Sequence, residues 1–442
     1  MLDAMYPRLA YLRDKLDTSI WFIPLSLCIA STLLSIVMLW FDRHYANTLP
    51  ILLTYGRDLN SARQILSVVA GSTISVGGVA FSVTMVALTL TSGQYGPKML
   101  RNFLEHKTSK VTLGLFLATF VYALISLTGI RADDQLQVTL IAALLLAFTT
   151  LTGFIRFIHQ TATELQADAI IHRIGNNLET GLSQLVQDHE SPHRDRSTFH
   201  WRRLARLRKP VAIASNRQGY VQSVNYQGLC EWCLENNSLL EVRVKAGDFI
   251  IDRLPLFKLY PSKDCQSPEN SVEDLNELIF TGPMRTPLQD PEYPITQINQ
   301  LAARALSPGI NDPATAITCI DWFTLAMGRI VDSEIPGCVF LDREHVPRVI
   351  ARVSHFEGLM KTIFAPMRLH AGSDMAVTAR LMKSLYNLAV LTRRADRLAV
   401  IAQHARLLWA TIEGQNLLQY DTRDIKRYYE KLQHITRSCR PS

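Results

Sequence analysis

The stretch Val69–Lys98 carries no charge before its last residue. It also has few of the leucines that usually fill a membrane helix, with Gly, Ser, Thr and Ala in their place. None of the long uncharged runs before Arg156 contains an Asp, Glu, Lys or Arg. That absence excludes a proton-driven pump or an ion-coupled carrier with a buried carboxylate, which needs an ionisable group at membrane depth. The chain of 442 residues also has no P-loop, dinucleotide fingerprint, nucleophile elbow or H-E-x-x-H sequence, so no motif supports an enzyme and no cofactor is expected. Its seven cysteines are scattered and odd in number, which argues against a disulfide framework. Cys230 and Cys233 form one C-x-x-C, but a zinc site wants a second pair, so two helix cysteines packed inward are expected.

What is present divides the chain in two. Apolar runs lie before Arg156 and most charge lies after it. Four segments meet the roughly 20-residue length of a bilayer helix: Ile20–Phe41, Ile65–Ser92, Val111–Ile130 and Leu136–Ile155. The apolar run of the first is too long for a signal peptide and lacks a cleavage site, so it reads as a retained helix. The short "RADD" makes spans three and four a tight hairpin. Arg8, Arg13 and Lys15, then Lys98, Arg101, Lys107 and Lys110, then Arg156 and the cations beyond it all fall on one side of a four-pass protein. In the Phe41–Gln64 connection, by contrast, acids partly balance the bases. The excess of Lys and Arg predicts that both termini are cytoplasmic.

On a helical wheel Gly71, Ser72, Ser75, Gly78, Ser82 and Thr89 share one arc of roughly 120° with Val79 and Val86. Ile74, Phe81, Met85 and Leu88 lie opposite. The plain reading of the small face is helix packing, with hydroxyls bonded across or back to the i−4 carbonyl. The sharper reading is a pore lining, wetted by Ser72, Ser75, Gly78, Ser82 and Thr89 and narrowed by Val79 and Val86. A third reading breaks the helix at Gly77-Gly78. Lys98, Arg101, Lys107 and Lys110 would then form either an interfacial segment or a basic cytoplasmic mouth.

After the last span, Ile171, Ile174, Leu178, Leu182 and Leu185 form a heptad-like stripe, either an oligomer seam or the buried face of an amphipathic helix. Seven cations follow between Arg194 and Lys209, with Phe199 and Trp201 among them. Attraction to anionic lipid headgroups is the simpler account, and no nucleic-acid fold motif accompanies the charge. Short β-branched runs at Val211–Ala214, Tyr220–Val224, Leu239–Val244 and Phe249–Ile251, with a helix at Gln227–Glu235, predict a small β-rich module. Later sequence reads as helical, with a strand pair at Cys338–Leu341 and Arg348–Val353. In "ALSPGINDPATAITCIDW" Asp312 is an expected N-cap, with Pro313 at the first helical position and Asn311 in the turn. Asn311 and Asp312 serve either this architecture or a ligand.

The strings "SVGGVAFSVTMVALTLTSGQYGPKMLRNF", "FVYALISL" and "ALSPGINDPATAITCIDW" together resemble a family of predicted bacterial integral membrane proteins known as a domain of unknown function. The resemblance implies a bacterial membrane protein of this architecture and carries over no catalytic residue; the expected location is the inner membrane. The expectation is a mainly α membrane protein whose four transmembrane helices precede a cytoplasmic α+β region. Its parts are a leader at 1–19, a membrane domain at 20–158, a basic connector at 159–209, a β-rich module at 210–262 and a helical domain at 271–442. The functional expectation is a homo-oligomeric passive conduit lined by span two. The alternative is a non-transporting scaffold or sensor.

Overall fold

The computed structural model describes residues 21–45, 59–95, 107–131, 136–164, 166–187, 194–195, 198–262, 271–335, 337–372, 374–415 and 417–438. The chain divides into two compact units, Met1–Ala169 and Ile170–Ser442.

The first unit holds four helices long and apolar enough to cross a membrane. They are α1 (Phe22–Tyr45), α2 (Leu59–Tyr95), α3 (Lys107–Thr128) and α4 (Gln137–Glu164). Helix α3 packs against all three others. Its approach to α1 depends on Gly114, where a Cβ would stand 2.6 Å from Leu27 Cδ1 and 3.0 Å from the Pro24 backbone. Between apolar helices in lipid, such close packing and polar bridges replace the hydrophobic drive available in water. The bridges are here: Ser31 donates to the Ala118 carbonyl, Ser35 pairs with Ser126 (2.9 Å), and Thr119 pairs with Thr150 (2.7 Å). Tyr122, fully buried, donates to the Thr139 carbonyl (3.1 Å).

The end of α1 locks the hairpin of α3 and α4. Asp42, 1% exposed, accepts the N–H groups of Val138 and Thr139 (2.9 Å each) at the start of α4. Its neighbour Arg43 donates to the carbonyl of Gly129 (2.7 Å), just past the end of α3. Those helix ends leave backbone groups without intrahelical partners and carry partial charges of opposite sign. One dipeptide therefore supplies an anion to a helix start and a cation to a helix end.

Helix α2 is longer than the 65–92 expected from the sequence. It begins at Leu59, inside what reads as a connection, and runs unbroken through Gly77-Gly78. Its packing side is neither of the two faces of the wheel reading. Ala62, Leu66, Val69, Ala70, Thr73, Gly77, Ala80 and Ala87 are buried, while Ile74, Phe81 and Met85 stay 44–49% exposed. The physical reason is the close fit to α3: Phe116 lies against Gly77, where a Cβ would sit 3.2 Å from Phe116 Cβ, so bulk is tolerated only to either side of that stripe.

In the second unit, α5 (Ala167–Gln187) buries Ile171, Ile174, Leu178 and Leu182 completely within the chain. Gly175 lets it press on Trp322, whose ring atoms leave no room for a Cβ. The stripe is thus the inner face of an amphipathic helix, and the seam is filled by the chain's own residues. The short strand β1 (Arg194–Asp195) and helix α6 (Thr198–Ala205) follow.

Then come β2 (Val211–Ala214), β3 (Gly219–Val224), α7 (Tyr226–Glu235), β4 (Leu239–Val242), β5 (Phe249–Ile250) and β6 (Pro255–Tyr260). After α8 (Ser271–Glu277) and β7 (Ile279–Gly282), helices α9 (Glu292–Ala305) and α10 (Pro313–Ile330) intervene before the hairpin of β8 (Val339–Leu341) and β9 (Pro347–Ala351). The chain ends in α11 (Phe356–Ala371), α12 (Met375–Leu391), α13 (Ala395–Glu413) and α14 (Gln419–Ser438).

The larger sheet has the order β1-β8-β9-β4-β6-β2, and only β4 and β9 run parallel. The smaller has the order β5-β3-β7. Both contribute to one core that includes Val221, Leu240, Phe257, Leu259, Ile279 and Val349. Strands β6 and β7 were not evident in the sequence: β6 opens on Pro255 and carries Lys258, so it lacks a clean alternation. The late hairpin completes the sheet, placing β9 directly beside β4 with Val349 opposite Leu240. Cys230 and Cys233 point from α7 into this core, and burial pushes the Cys230 thiol up to about 12.

Candidate functional site

The predicted lining residues Ser72, Ser75, Gly78, Val79, Ser82, Val86 and Thr89 are all exposed on α2, with Val79 at 58% and Val86 at 59%. They lie in one continuous helix, so the sequence brings them together by spacing alone. Ser75, Gly78, Val79, Ser82, Val83 and Val86 line a shallow open concavity along the helix.

Each hydroxyl on this face turns back onto its own helix. Ser75 donates to Gly71 O (2.9 Å), Ser82 to Gly78 O (3.0 Å), Thr89 to Met85 O (2.8 Å) and Ser72 to Val69 O (3.3 Å). Such bonds satisfy the donor without a partner helix while leaving oxygen lone pairs on the surface. Of the four basic mouth residues, Lys98 and Arg101 lie outside the described residues. Lys107 opens α3, and Lys110, one turn later, is 3% exposed.

Asp312 caps α10: Oδ1 accepts the Thr315 N–H (3.1 Å) and Oδ2 accepts the Thr315 hydroxyl (2.6 Å). These bonds hold its carboxyl below the usual range. Asn311 takes a left-handed conformation at φ 49°, which asparagine tolerates better than most residues, and closes the turn with its N–H on Ser307 O (2.9 Å).

A second polar cluster was not found by sequence reading. At the start of α9, Arg285 donates from Nε (2.9 Å) and Nη2 (2.6 Å) to Asp290, which is 2% exposed. Burial nevertheless raises the Asp290 carboxyl above its ordinary value. Glu292 accepts from Lys245 and from Ser354 (2.9 Å). Burial works to raise its carboxyl, but Lys245 and Ser354 override it and lower the value. Lys245 and Asp290 also line a cleft with Asn177, Gln184, Tyr226 and Arg352. Gly247, at φ 93°, brings the backbone so near Asp290 that a side chain there would collide with the carboxylate. The only sequence signal for this cluster was the turn "KAGD"; its partners come from positions 40 to 110 residues away, which no local pattern links.

The family described as "Predicted membrane protein (DUF2254)" matches residues 17–387. The chain belongs to this family. As a member it is a predicted membrane protein, in keeping with its four candidate spans. It is also 25% identical over 353 residues to uncharacterized proteins of Mycobacterium tuberculosis, strains CDC 1551 and H37Rv, and of Mycobacterium bovis. Each match takes in 77% of this chain, and the chain spans 66% of the length of these relatives. No solved structure matches it.

Proposed function

We propose that the protein forms a passive conduit in a bacterial inner membrane. Several copies would surround a path lined by Ser72, Ser75, Gly78, Val79, Ser82, Val86 and Thr89 of α2, with both termini and the Ile170–Ser442 unit in the cytoplasm. The observation that carries this reading is the exposed small face of α2, which packs against no other helix among the described residues. Hydroxyl oxygens and accessible backbone at Gly78 can wet a path without binding an ion tightly, and rings of Val79 and Val86 can close it by dewetting. The basic residues Lys98, Arg101 and Lys107 favour a cytoplasmic mouth, whereas Lys110 is buried and would not line it; the Ile170–Ser442 unit would regulate opening.

The test is flux of small ions from liposomes holding the purified protein. Wild-type protein should leak above empty vesicles, and Ser75→Leu with Ser82→Leu should stop the leak. Tight vesicles at high protein density, with folded protein, would remove the proposal.

The cleft beside Lys245 and Asp290 favours a second reading, a non-transporting sensor that binds a small polar ligand there rather than at Asn311 and Asp312. Asp312 has both oxygens committed to its cap. On this reading Gly181→Leu, which fills an open position in the cleft lining, abolishes signalling in cells and leaves membrane insertion intact. Unchanged signalling would count against it.

A further inference from the structure

The basic segment at 198–209 resolves into two faces with different tasks. Trp201 (4% exposed) and Ala205 (5%) fix α6 to the larger sheet. The Trp201 ring meets Tyr260 edge-on at 5.3 Å, and its N–H donates to Arg348 O (3.3 Å). Arg208 completes the anchor by donating to Asn237 O (2.6 Å) and Tyr260 O (3.2 Å). The other side is exposed. Phe199, Arg202, Arg203 and Arg206 follow the i, i+3, i+4, i+7 spacing of one helical face, and all four are exposed. Leu207 and Lys209 extend it, with Leu207 83% and Phe199 66% exposed. Among the described residues, none of Arg202, Arg203, Arg206 and Lys209 forms an ion pair. Arg202 also borders a groove along β4 and β9 lined by Arg243, Arg352 and the acid Glu241, with Arg352 paired to Asp248 (3.4 Å).

We infer that this face docks on the anionic surface of the bilayer that the same chain spans. The cations would sit at the level of lipid phosphates, with Phe199 and Leu207 entering the headgroup layer. Two observations select lipid over nucleic acid. An exposed aliphatic Leu207 gains nothing from a base, which would stack on aromatic or guanidinium planes, whereas an interfacial helix uses it directly. And four spanning helices on the same chain keep the local concentration of bilayer high, so weak surface attraction is sufficient. The rigid attachment through Trp201 makes docking a positioning device: it would fix the orientation of the soluble unit according to the lipid charge beneath it. The inference does not depend on conduction by α2.

The experiment uses the full-length protein in nanodiscs of phosphatidylcholine alone or mixed with phosphatidylglycerol. A fluorophore is placed at the exposed His200 (His200→Cys) in a background with accessible thiols replaced, and quenching by brominated acyl chains is read. Quenching should be strong only with the anionic lipid and should fall at high salt. Each cation removed in the series Arg202→Gln, Arg203→Gln, Arg206→Gln and Lys209→Gln should lower the ratio of docked to undocked protein by about fivefold. Phe199→Ser with Leu207→Ser should keep the salt dependence and lose the quenching depth. Equal quenching in both lipids, no quenching in either, or an unchanged quadruple variant would overturn the inference. So would a fluorescence response to single-stranded RNA that anionic lipid does not reproduce.

Discussion

The outward faces of α1 and α4 differ in kind from that of α2. Helix α1 turns out Leu25, Ile29, Leu33, Ile36 and Trp40, and α4 turns out Leu145, Phe148, Leu151 and Ile155, all more than half exposed. Bulky apolar side chains are what acyl chains accept at least cost. On α2 bulky side chains such as Val68, Ile74, Phe81 and Met85 are exposed too, but beside them lies a second exposed face of Gly71, Ser72, Ser75, Gly78 and Ser82, interrupted by Val79 and Val86. All three helices have settled their packing with α3 on another side. Among the described residues the small face is therefore not a by-product of helix packing. It is suited to water, to another copy, or to both, and the contrast with α1 and α4 can be tested helix by helix.

The largest effect should come from exchanging the character of the two surfaces. Ser75→Leu with Ser82→Leu makes α2 resemble α4, and liposome flux should fall to the level of empty vesicles. Leu145→Ser with Phe148→Ser does the reverse on α4 and should leave flux within about twofold of wild type, because lipid-side changes act on insertion and not on a path. Equal loss in both variants would erase the distinction.

A smaller effect, on stability alone, is expected on the packing side. Asp42→Ala removes the acceptor for two N–H groups at the start of α4. Loss of a cap in a buried, dipole-aligned setting should cost about 2 kcal/mol, read as a lower unfolding midpoint in detergent. Arg43→Gln should cost less, since its carbonyl partner at Gly129 is nearer solvent. If Asp42→Ala unfolds like wild type, the clamp contributes nothing and hairpin packing alone orders α3 against α4.

How much of this could be read from sequence follows from the range of each signal. The four spans, the cap at Asp312 and the strands from Val211 to Ile250 rest on local patterns, and they were legible. The clamp was not. Asp42 and Arg43 read only as two of the partly balanced charges of a connection, because their partners at Gly129, Val138 and Thr139 lie about 90 residues away. The packing stripe of α2 was missed for a related reason. Ala70, Thr73, Gly77 and Ala80 are as small as the exposed face, and size alone cannot say which small stripe meets Phe116. The Lys245–Glu292–Ser354 cluster needs three segments to converge, and only the fold supplies that.

Adjacent glycines sharpen the comparison within α2 itself. Gly77 faces Phe116, with a would-be Cβ 3.2 Å from its Cβ, and Gly78 faces open space with nothing within 4 Å. The Phe116 Cβ cannot swing aside as a flexible tip would, so Gly77→Ala must push α2 from α3. A loss of about 1 kcal/mol is expected in thermal unfolding. Gly78→Ala gains helix propensity and should be neutral or stabilising by up to about 1 kcal/mol. Equal losses at both positions would place a tight neighbour against Gly78, turning the face from a path into a helix seam between copies.

The smallest effect concerns the charged junctions of the Ile170–Ser442 unit. Glu292, Asp312 and Asp342 all have carboxyls held below their ordinary values. For Asp312 the Thr315 bonds are the cause. For Asp342 burial opposes the shift, and Arg348 with the N–H groups of Val346 and Glu344 outweighs it. A group depressed on folding contributes stability above the ordinary carboxylate pKa of about 4 and loses it as pH falls through the folded value. Asp290 has the opposite sign, since burial raises it and mild acid favours its folded form. With Asp396, also lowered because Arg394 and Arg397 outweigh its burial, four described carboxyls stand against one, and the unfolding midpoint of the full-length protein should fall on acidification below about pH 4. Asp312→Asn keeps an oxygen to accept the Thr315 N–H, so stability near pH 7 should change by about 0.5 kcal/mol or less, while the acid slope becomes shallower. An unaltered slope would mean that the cap acts through its geometry and that the charge on Asp312 adds nothing to folding.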